Sequence, residues 1–567
     1  MLNLKKKLAD VILCELNKKN DSHGLDEEQI AVMFEYPPDA AMGDLAFPCF
    51  KLSRALRMAP PAIAASLAES VNMPEIAKVD VAGGYLNMFI SNDYLANKVD
   101  EINSLGTNYG KFDFGKGKNI VIDYSSPNVA KPFHIGHLGT TVIGHSIKML
   151  HEFVGYNCIG INHLGDWGTQ FGKLIVAYRL WGDREKIENG GIDELVALYV
   201  KFHEEAEKDA ELNDKARAEF TKLEHFDEEN IALWKWFIEI SLAEYQKTYK
   251  QLGIEFDSYN GESFYSDKMP AIVEELKEKK LMKIDDGASI IDLEEFGMPP
   301  CLILKRDGST LYPTRDIAAA DYRKKNYDFD KCIYVTSAGQ SLHFAQWFKV
   351  VELMGHEWAK DLVHVPYGTV SINGEKLATR TGNVILLKDL FKMSIEKVHD
   401  IMKEKNPDIE NGDEIAEAVG VGAIVFHYLS NNRIKDINFV LEDALSFEGN
   451  TGPYSQYTFA RTCSILGKSE NAKGNIKFTE SAETELVKVL SRYPEKILSA
   501  LNEYEPMVIT RYIIEVCNTF NRFYHSCPIV TAEDADVKAT RVALTQATNN
   551  VLKTAFGLIC MKAPEKI

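Results

Sequence analysis

The sequence predicts a multidomain α/β protein with a parallel-sheet core, a small α/β domain before it and an all-helical domain after it. The chain has 567 residues, several times the ~100 to 150 residues of a typical domain. Strand and helix patterns alternate from about Asn119 to Leu390, and only helical periodicity follows. We therefore expect three domains, at residues 1–112, 113–390 and 391–567.

The first domain combines helical and strand patterns. Apolar residues recur at helical spacing from Leu2 to Leu16 and from Ala62 to Ala68. A short strand is predicted at Tyr85–Ile90, directly after two glycines. These elements indicate a compact α/β unit.

The core begins with a strand–helix–strand unit. A buried strand at Asn119–Asp123 leads through a polar loop to an amphipathic helix that ends near Val154, and a second strand covers Asn157–Ile161. The charged, helix-like stretch at residues 183–257 reads as an insertion. Further strands are predicted at Ala288–Leu293, Cys301–Lys305, Lys331–Val335 and Leu362–Val365. The pattern is typical of a Rossmann-type nucleotide-binding sheet that a helical insertion interrupts.

The net charge argues at first against a nucleic-acid partner. Lys and Arg number 64 against 83 Asp and Glu, which gives −19, whereas phosphate binding requires positive potential. Between His203 and Glu229, however, there are eleven acids and four bases. A basic surface elsewhere on the chain is therefore compatible with the composition.

Composition excludes several other classes. The 45% hydrophobic and 26% charged fractions are those of a globular protein. No stretch approaches the ~18 apolar residues of a spanning helix, and the N-terminus lacks a signal core, so we expect a cytoplasmic protein with no membrane partner. Nine cysteines without a CxxC pair make a disulfide framework improbable. His163 and Asp166 have no third ligand at a suitable spacing, so no structural metal is expected.

The loop after the first core strand carries the first chemical motif, His134-Ile135-Gly136-His137. It lies at the carboxyl end of a strand and before a helix N-terminus, where unpaired N–H groups attract phosphate. His134 and His137 can contact a triphosphate, and Gly136 lets a planar base approach the backbone, which predicts an ATP site. The alternative is a chance pair of surface histidines.

A second motif follows the last predicted core strand, at Lys376-Leu377-Ala378-Thr379-Arg380. A cationic loop there would close over phosphates as charge develops. Alone, the segment would more often be a solvated basic turn.

Together, the two motifs resemble the HIGH and KMSKS signatures of class I aminoacyl-tRNA synthetases, and within that class the arginyl-tRNA synthetase family. The first signature is literal at residues 134–137, and the second is degenerate, with Thr379 in place of its second lysine. Arginyl enzymes commonly lack that lysine and carry one three residues before HIGH, which here is Lys131.

Three longer stretches are also similar to the arginyl family, so the resemblance covers essentially the whole chain. They are Asn162-His163-Leu164-Gly165-Asp166-Trp167-Gly168-Thr169-Gln170-Phe171-Gly172, Leu311-Tyr312-Pro313-Thr314-Arg315-Asp316-Ile317 and Ser446-Phe447-Glu448-Gly449-Asn450-Thr451-Gly452-Pro453-Tyr454-Ser455-Gln456-Tyr457. One departure is Gly139, where the family usually has an arginine.

The resemblance implies a ligase that joins L-arginine to tRNA(Arg) through an arginyl-adenylate, with ATP and Mg²⁺, acting as a monomer. It also implies an N-terminal domain that binds the tRNA elbow and a C-terminal domain that binds the anticodon. The implied catalytic residues are Lys131, His134, His137, Lys376 and Arg380, of which His134, His137 and Lys376 also bind ATP together with Gly136. The implied arginine-binding residues are Asp123, Ser126, Asn128, His137, Tyr312, Asp316 and Gln340. The implied tRNA-binding residues are Phe447, Tyr454, Gln456 and Tyr457.

Alternatives stay open at this point. Asp316 can be read as a helix cap, because the helix-like run Asp316-Ile317-Ala318 begins there. Tyr454 and Tyr457 can be core aromatics rather than rings that stack on tRNA bases. Two other classes are another class I ligase or nucleotidyl transferase with the same core, and a catalytically idle tRNA-binding relative.

Overall fold

A computed structural model describes residues 1–19, 23–372, 374–376, 385–405, 409–469 and 474–567. The first unit is a three-stranded antiparallel sheet in the order β1-β3-β2, with helices around it. Its elements are α1 (Leu2–Lys19), α2 (Glu27–Ala31), β1 (Leu45–Pro48), α3 (Ser53–Leu56), α4 (Pro60–Ser70), β2 (Ile76–Ala82), β3 (Tyr85–Ile90) and α5 (Asn92–Leu105). The predicted helices and strand are all present, and β1 and β2 are additional.

The middle of the chain alternates strands and helices as predicted. Its elements are β4 (Asn119–Asp123), α6 (Ile135–Phe153), β5 (Asn157–Ile161), α7 (Thr169–Trp181), α8 (Arg184–Gly190), α9 (Ile192–Ala206), α10 (Glu211–Glu224), α11 (Glu228–Leu252), α12 (Met269–Glu278), β6 (Met282–Asp285), β7 (Ala288–Ile291), β8 (Cys301–Leu304), α13 (Tyr312–Tyr327), β9 (Lys331–Ser337), α14 (Ser341–Leu353), β10 (Leu362–Tyr367), β11 (Val370–Ile372) and β12 (Glu375–Lys376). Helices α8 to α11 occupy the predicted insertion.

The core is a parallel sheet in the order β10-β9-β4-β5. From β4 the chain crosses through α6 to β5 on one side, and from β9 it crosses through α14 to β10 on the other. The strand order therefore reverses between β4 and β9. In open α/β sheets, the carboxyl ends of the strands at such a point form the ligand crevice.

The prediction that Ala288–Leu293 and Cys301–Lys305 join this parallel sheet is wrong. Strands β7 and β8 pair antiparallel with each other and with β6, in a separate sheet. The turn between β6 and β7 contains Asp286 at φ 45° and Gly287 at φ 80°. An Asp-Gly pair with both φ angles positive matches the twist of a tight hairpin, so the chain reverses there instead of crossing to a parallel neighbour.

The last unit is helical apart from one short strand. Its elements are α15 (Leu387–Lys405), α16 (Gly412–Leu429), β13 (Ile437–Phe439), α17 (Leu441–Ala444), α18 (Gly452–Lys468), α19 (Ser481–Leu490), α20 (Tyr493–Glu503), α21 (Met507–Ser526) and α22 (Ala535–Leu558). The prediction of helices alone after Leu390 is wrong for β13, which pairs in parallel with β11. A domain boundary at residue 390 would therefore divide the three-stranded sheet β12-β11-β13.

One continuous apolar cluster connects all three units, from Leu4 and Leu8 through Ile135 and Leu138 to Phe556. Within the described ranges, no helix combines the length and the apolar character needed to span a membrane.

Candidate active site

The residues that follow the second signature, Leu386 and Leu387, meet the first signature beside the sheet. His134 pairs as an isolated antiparallel bridge with Leu386, and the Leu387 N–H donates to the Phe133 carbonyl at 2.9 Å. On the other side, Lys376 ends strand β12, next to β11. Arg380 and Thr379 lie outside the described residues, and for Lys376 only the backbone is described. The backbone thus brings the flank of the second motif against the first.

Both signature histidines are held by backbone hydrogen bonds at the start of α6. Nδ1 of His134, the N-cap residue, accepts from the Gly136 N–H at 3.0 Å. Nδ1 of His137 accepts from the His134 N–H at 3.2 Å. With Nδ1 accepting, each neutral ring carries its proton on Nε2 and is a donor there.

Burial keeps both rings uncharged at neutral pH. It lowers the pKa of His137 to about 3, and the neighbouring His134 adds to this effect. Burial also lowers the pKa of His134, with a further contribution from the charge of Lys131. Their neutral rings therefore offer N–H donors rather than positive charge to a ligand.

The loop between β4 and α6 has an unusual backbone. Ser125, Ser126 and Ala130 have φ values of 75°, 46° and 58°, in the left-handed region that residues other than glycine rarely adopt. Such strain persists only where the surroundings enforce it, and it concentrates at functional sites.

Helix α11 of the insertion enforces this loop conformation. The Tyr245 hydroxyl lies 2.7 Å from the carbonyl oxygens of both Asn128 and Lys131. The Ala130 N–H donates to the Ser241 hydroxyl at 3.0 Å. The sequence predicted only charged helices for the insertion and did not indicate this role. The available signal was the spacing of Ser241 and Tyr245, four residues apart on one helix face.

An open cleft of about 1340 Å³ lies beside this loop. Asn128 and the exposed side chain of Lys131 line it from the loop, and Tyr312 lines it from α13. Three sequence-predicted residues therefore share one cleft.

Asp123 is held inside the protein. Its Oδ2 lies 2.7 Å from Nη2 of the fully buried Arg323, and its Oδ1 accepts from the Ser126 hydroxyl at 3.0 Å. Arg323 was missed by sequence analysis, because an arginine in a helix has no local signal of burial. Its charge is matched by that of Asp123, whose other oxygen accepts the Ser126 hydroxyl.

Helix α13 begins at Tyr312, four residues before Asp316, and its N-cap is Leu311. The reading of Asp316 as a helix cap is therefore wrong. The Asp316 carboxylate instead lies 2.5 Å from Nε2 of His343 on α14. Gln340, the N-cap of α14, is exposed at the carboxyl end of β9.

Glu262 was also missed by sequence analysis. It lines the cleft together with Tyr312 and Arg315, and the Arg315 guanidinium donates to it at 2.7 Å. Burial raises the pKa of Glu262 to about 7; Arg315 opposes the shift, and the carboxylates of Asp166 and Asp316 add to it. Carboxylates this close favour a cationic ligand. Only the fold brings Glu262 to α13, so no sequence pattern indicated it.

Family models match most of the chain. The catalytic domain of class I tRNA synthetases (R) matches residues 99–441, the DALR anticodon binding domain residues 455–567, and the N-terminal domain of arginyl-tRNA synthetases residues 4–90. An arginine–tRNA ligase of Alkaliphilus metalliredigens is 49% identical over the whole of both chains. Another, from Clostridioides difficile, is 50% identical over 97% of this chain and 98% of its own.

The chain belongs to the arginyl-tRNA synthetase family. The predicted fold class, with its helical C-terminal domain, and the predicted enzyme class, an arginine–tRNA ligase, are confirmed. Among solved structures, the arginyl-tRNA synthetase of Thermus thermophilus has the same fold, with a TM-score of 0.84 and 23% identity over 100% of both chains. That of Plasmodium falciparum has a TM-score of 0.82 and 25% identity over 100% of this chain and 99% of its own.

In this synthetase, the predicted tRNA-binding residues differ in accessibility. Gln456 is fully buried and donates to the Ala418 and Lys562 carbonyls at 3.1 and 2.9 Å. Its prediction as a tRNA contact is wrong, because the side chain has no exposed surface. Phe447 is half-buried against the apolar core, and the Tyr454 hydroxyl donates to Asn518 at 2.8 Å.

Tyr457 is exposed and belongs to an aromatic surface. The Arg461 guanidinium lies 5.1 Å from its ring centroid and 4.9 Å from that of Tyr524. The two tyrosines are 44% and 38% exposed. This surface, formed by Tyr457, Arg461 and Tyr524 on α18 and α21, is called the tyrosine surface below.

Gly139, the departure from the family pattern, lies on α6 against Tyr428 of α16. A Cβ on Gly139 would collide with the Tyr428 hydroxyl. The space beside the signature helix is thus filled by a tyrosine from another helix, and no larger side chain fits at residue 139 without displacing it.

Proposed function

We propose that this arginyl-tRNA synthetase forms arginyl-adenylate in the cleft beside the loop between β4 and α6, and passes the arginyl group to the terminal ribose of tRNA(Arg). The observation that carries the proposal is the pairing of His134 with Leu386, in the segment that follows the second signature. It supports a site formed by the strained loop, the start of α6 and the flank of the second motif.

The ATP side of the cleft supplies donors and charge from different residues. The Nε2–H groups of the neutral His134 and His137 donate to phosphate oxygens, and Gly136 leaves room for the adenine. Lys131, Lys376 and Arg380 supply positive charge as the arginine carboxylate attacks the α-phosphorus and pyrophosphate leaves. The step needs no covalent nucleophile, so positioning and electrostatics carry the catalysis.

The arginine side combines a polar end and an acidic end. Ser126, Asn128 and His137 contact the carboxylate and ammonium of the amino acid, and Asp123 orients Ser126. At the other end the guanidinium, a planar fork of five donors, meets several acceptors. These are Tyr312, Asp316, Gln340 and Glu262.

Mg²⁺ enters with ATP. Among the residues that the structure describes, no group of three or more His, Cys, Asp or Glu side chains is placed to hold a metal ion. When bound with ATP, the ion would be held by the phosphates and would screen their charge. The chain itself contributes the positive side chains and the histidine N–H donors that contact the ATP phosphates.

The tyrosine surface contacts the anticodon loop. It lies in the residues matched by the anticodon binding domain, and exposed rings stack on unpaired bases while an arginine contacts the backbone or a base face. Residues 1–112 bind the tRNA elbow. The enzyme acts as a monomer in the cytoplasm, where its tRNA is charged.

A charging assay tests the proposal. The purified chain is incubated with ATP, Mg²⁺, tRNA(Arg) and each of the twenty amino acids in turn, and aminoacylated tRNA is counted on filters. We expect arginine alone to be charged. Charging of another amino acid would indicate a different ligase, and tRNA binding without charging would indicate an idle relative.

A further inference from the structure

We propose that His343 is a positioning residue that fixes the Asp316 carboxylate for the arginine guanidinium, and so sets the preference for arginine over lysine. The inference rests on the assignment of Asp316 to the guanidinium in the function proposed above. It concerns a residue outside both signature motifs.

The contact links helix α14 to helix α13, which contributes Tyr312 and Arg315 to the cleft. Asp316 is in the second turn of α13, and His343 is in the first turn of α14, three residues after Gln340. The contact from Nε2 of His343 to Oδ2 of Asp316 measures 2.5 Å, and the two side chains are 29% and 27% exposed. A short contact between partly exposed side chains does not belong to the apolar core, and Asp316 lies one helical turn after Tyr312, which lines the cleft.

This contact uses one carboxylate oxygen and leaves the other available. A hydrogen bond to a charged acceptor is short and strong, and it restricts the rotation of the carboxylate. Partners behind a ligand-binding group hold it in the productive orientation. Because His343 fixes Oδ2, the plane of the Asp316 carboxylate is also fixed, and Oδ1 can accept from the ligand in that plane.

A fixed plane favours arginine over lysine. A guanidinium forms two parallel hydrogen bonds with a carboxylate only when the two groups are coplanar, whereas an ammonium is a point charge that accepts many orientations. A freely rotating Asp316 would therefore lose much of its affinity for arginine and little of its affinity for lysine. The contact thus contributes to specificity beyond the charge of Asp316 itself.

His343→Leu removes the donor, and His343→Gln keeps an N–H donor on a side chain of similar length. We expect the leucine variant to raise the KM for arginine about tenfold, or ~1.4 kcal/mol, with kcat and the KM for ATP within twofold. The ratio of kcat/KM for arginine to that for lysine should fall by a similar factor. The glutamine variant should recover most of the arginine KM.

A matched control separates this effect from general loss of structure. His356, in the segment after α14, also lies near a carboxylate, 3.1 Å from Glu275 of α12, but it makes no hydrogen bond to it and does not line the cleft. His356→Leu should leave the arginine KM unchanged, and the melting temperatures of all variants are compared with that of the parent.

Asp316→Asn separates this inference from the function on which it depends. If Asp316→Asn leaves the arginine KM unchanged, the assignment of Asp316 is wrong. If Asp316→Asn raises it and His343→Leu does not, the role of His343 is refuted. Equal losses in His343→Leu and His343→Gln, or a parallel fall in kcat and ATP affinity, would also refute it, because they indicate a structural role.

Discussion

The raised pKa of Glu262 predicts that arginine binds more tightly as the pH rises through neutrality. Burial of this carboxyl, helped by Asp166 and Asp316, outweighs the opposing charge of Arg315 and moves the pKa to about 7. The guanidinium of arginine keeps its charge throughout this range. Binding therefore favours the ionised form of Glu262, and below the pKa each bound arginine releases a proton.

The magnitude follows from the ionised fraction. With a pKa of about 7, roughly one-tenth of Glu262 is ionised at pH 6 and roughly nine-tenths at pH 8. The KM for arginine should then be about tenfold higher at pH 6 than at pH 8, which corresponds to ~1.4 kcal/mol. The stability of the free protein depends on pH in the opposite direction. The pKa of Glu262 is raised from 4.5 on folding, so this carboxyl stabilises the fold below pH 4.5. The contribution is lost as the pH rises to about 7.

Initial rates of charging at saturating ATP and tRNA, from pH 5.5 to 8.5, measure the effect. Glu262→Gln should weaken arginine binding and flatten the profile over this range. Glu224 at the rim of the same cleft is exposed, and Glu224→Gln should keep the slope of the parent. A flat profile in the parent, or the same slope in Glu262→Gln, would show that Glu262 does not face the guanidinium.

Four other predictions concern separate parts of the molecule. Lys131→Ala should slow adenylate formation 10- to 1000-fold, about 1.4 to 4 kcal/mol, with little change in arginine affinity; a loss of ATP affinity alone, in single-turnover kinetics, would contradict its transition-state role. Asp316→Asn should weaken the binding of arginine by about 2 to 5 kcal/mol and that of lysine by less. If the variant discriminates between the two in competitive charging as the parent does, the guanidinium binds elsewhere. Gly139→Ala should lower the free energy of unfolding by about 1 to 3 kcal/mol through overpacking. Gly467→Ala is its control, because a Cβ there meets nothing within 4 Å; equal urea midpoints for the two variants would refute the packing argument. Tyr457→Ala should raise the KM for tRNA about 5- to 100-fold, because base stacking worth ~1 to 3 kcal/mol per base is lost. An unchanged KM would show that the tyrosine surface does not contact the anticodon.

The sequence determined the elements whose signals are local. Strands Asn119–Asp123 and Asn157–Ile161 are present with the predicted bounds, because buried parallel strands are short apolar runs that need no knowledge of their partners. The signature histidines could be placed at a helix N-terminus for the same reason, since a strand, a polar loop and an amphipathic helix follow one another along the chain. Motif order then identified the family.

The tertiary structure decided which distant residues share a surface. Glu262 meets Arg315, His343 meets Asp316, and Tyr245 fixes the loop that ends in Lys131, across 53, 27 and 114 residues of sequence. Each pair depends on helix packing, and the residue types alone do not reveal it.

The sequence also did not predict that Gln456 is buried or that β13 pairs with β11. Gln456 lies in a motif that faces tRNA by resemblance, yet its amide is fully buried, because one helix presents alternate faces to the core and to solvent. Strand β13 is three residues long, too short for a periodic signal, and it exists because β11 offers it an edge. The sequence thus determined the local elements and the chemistry of the motifs, whereas long-range packing alone decided which side chains reach the cleft.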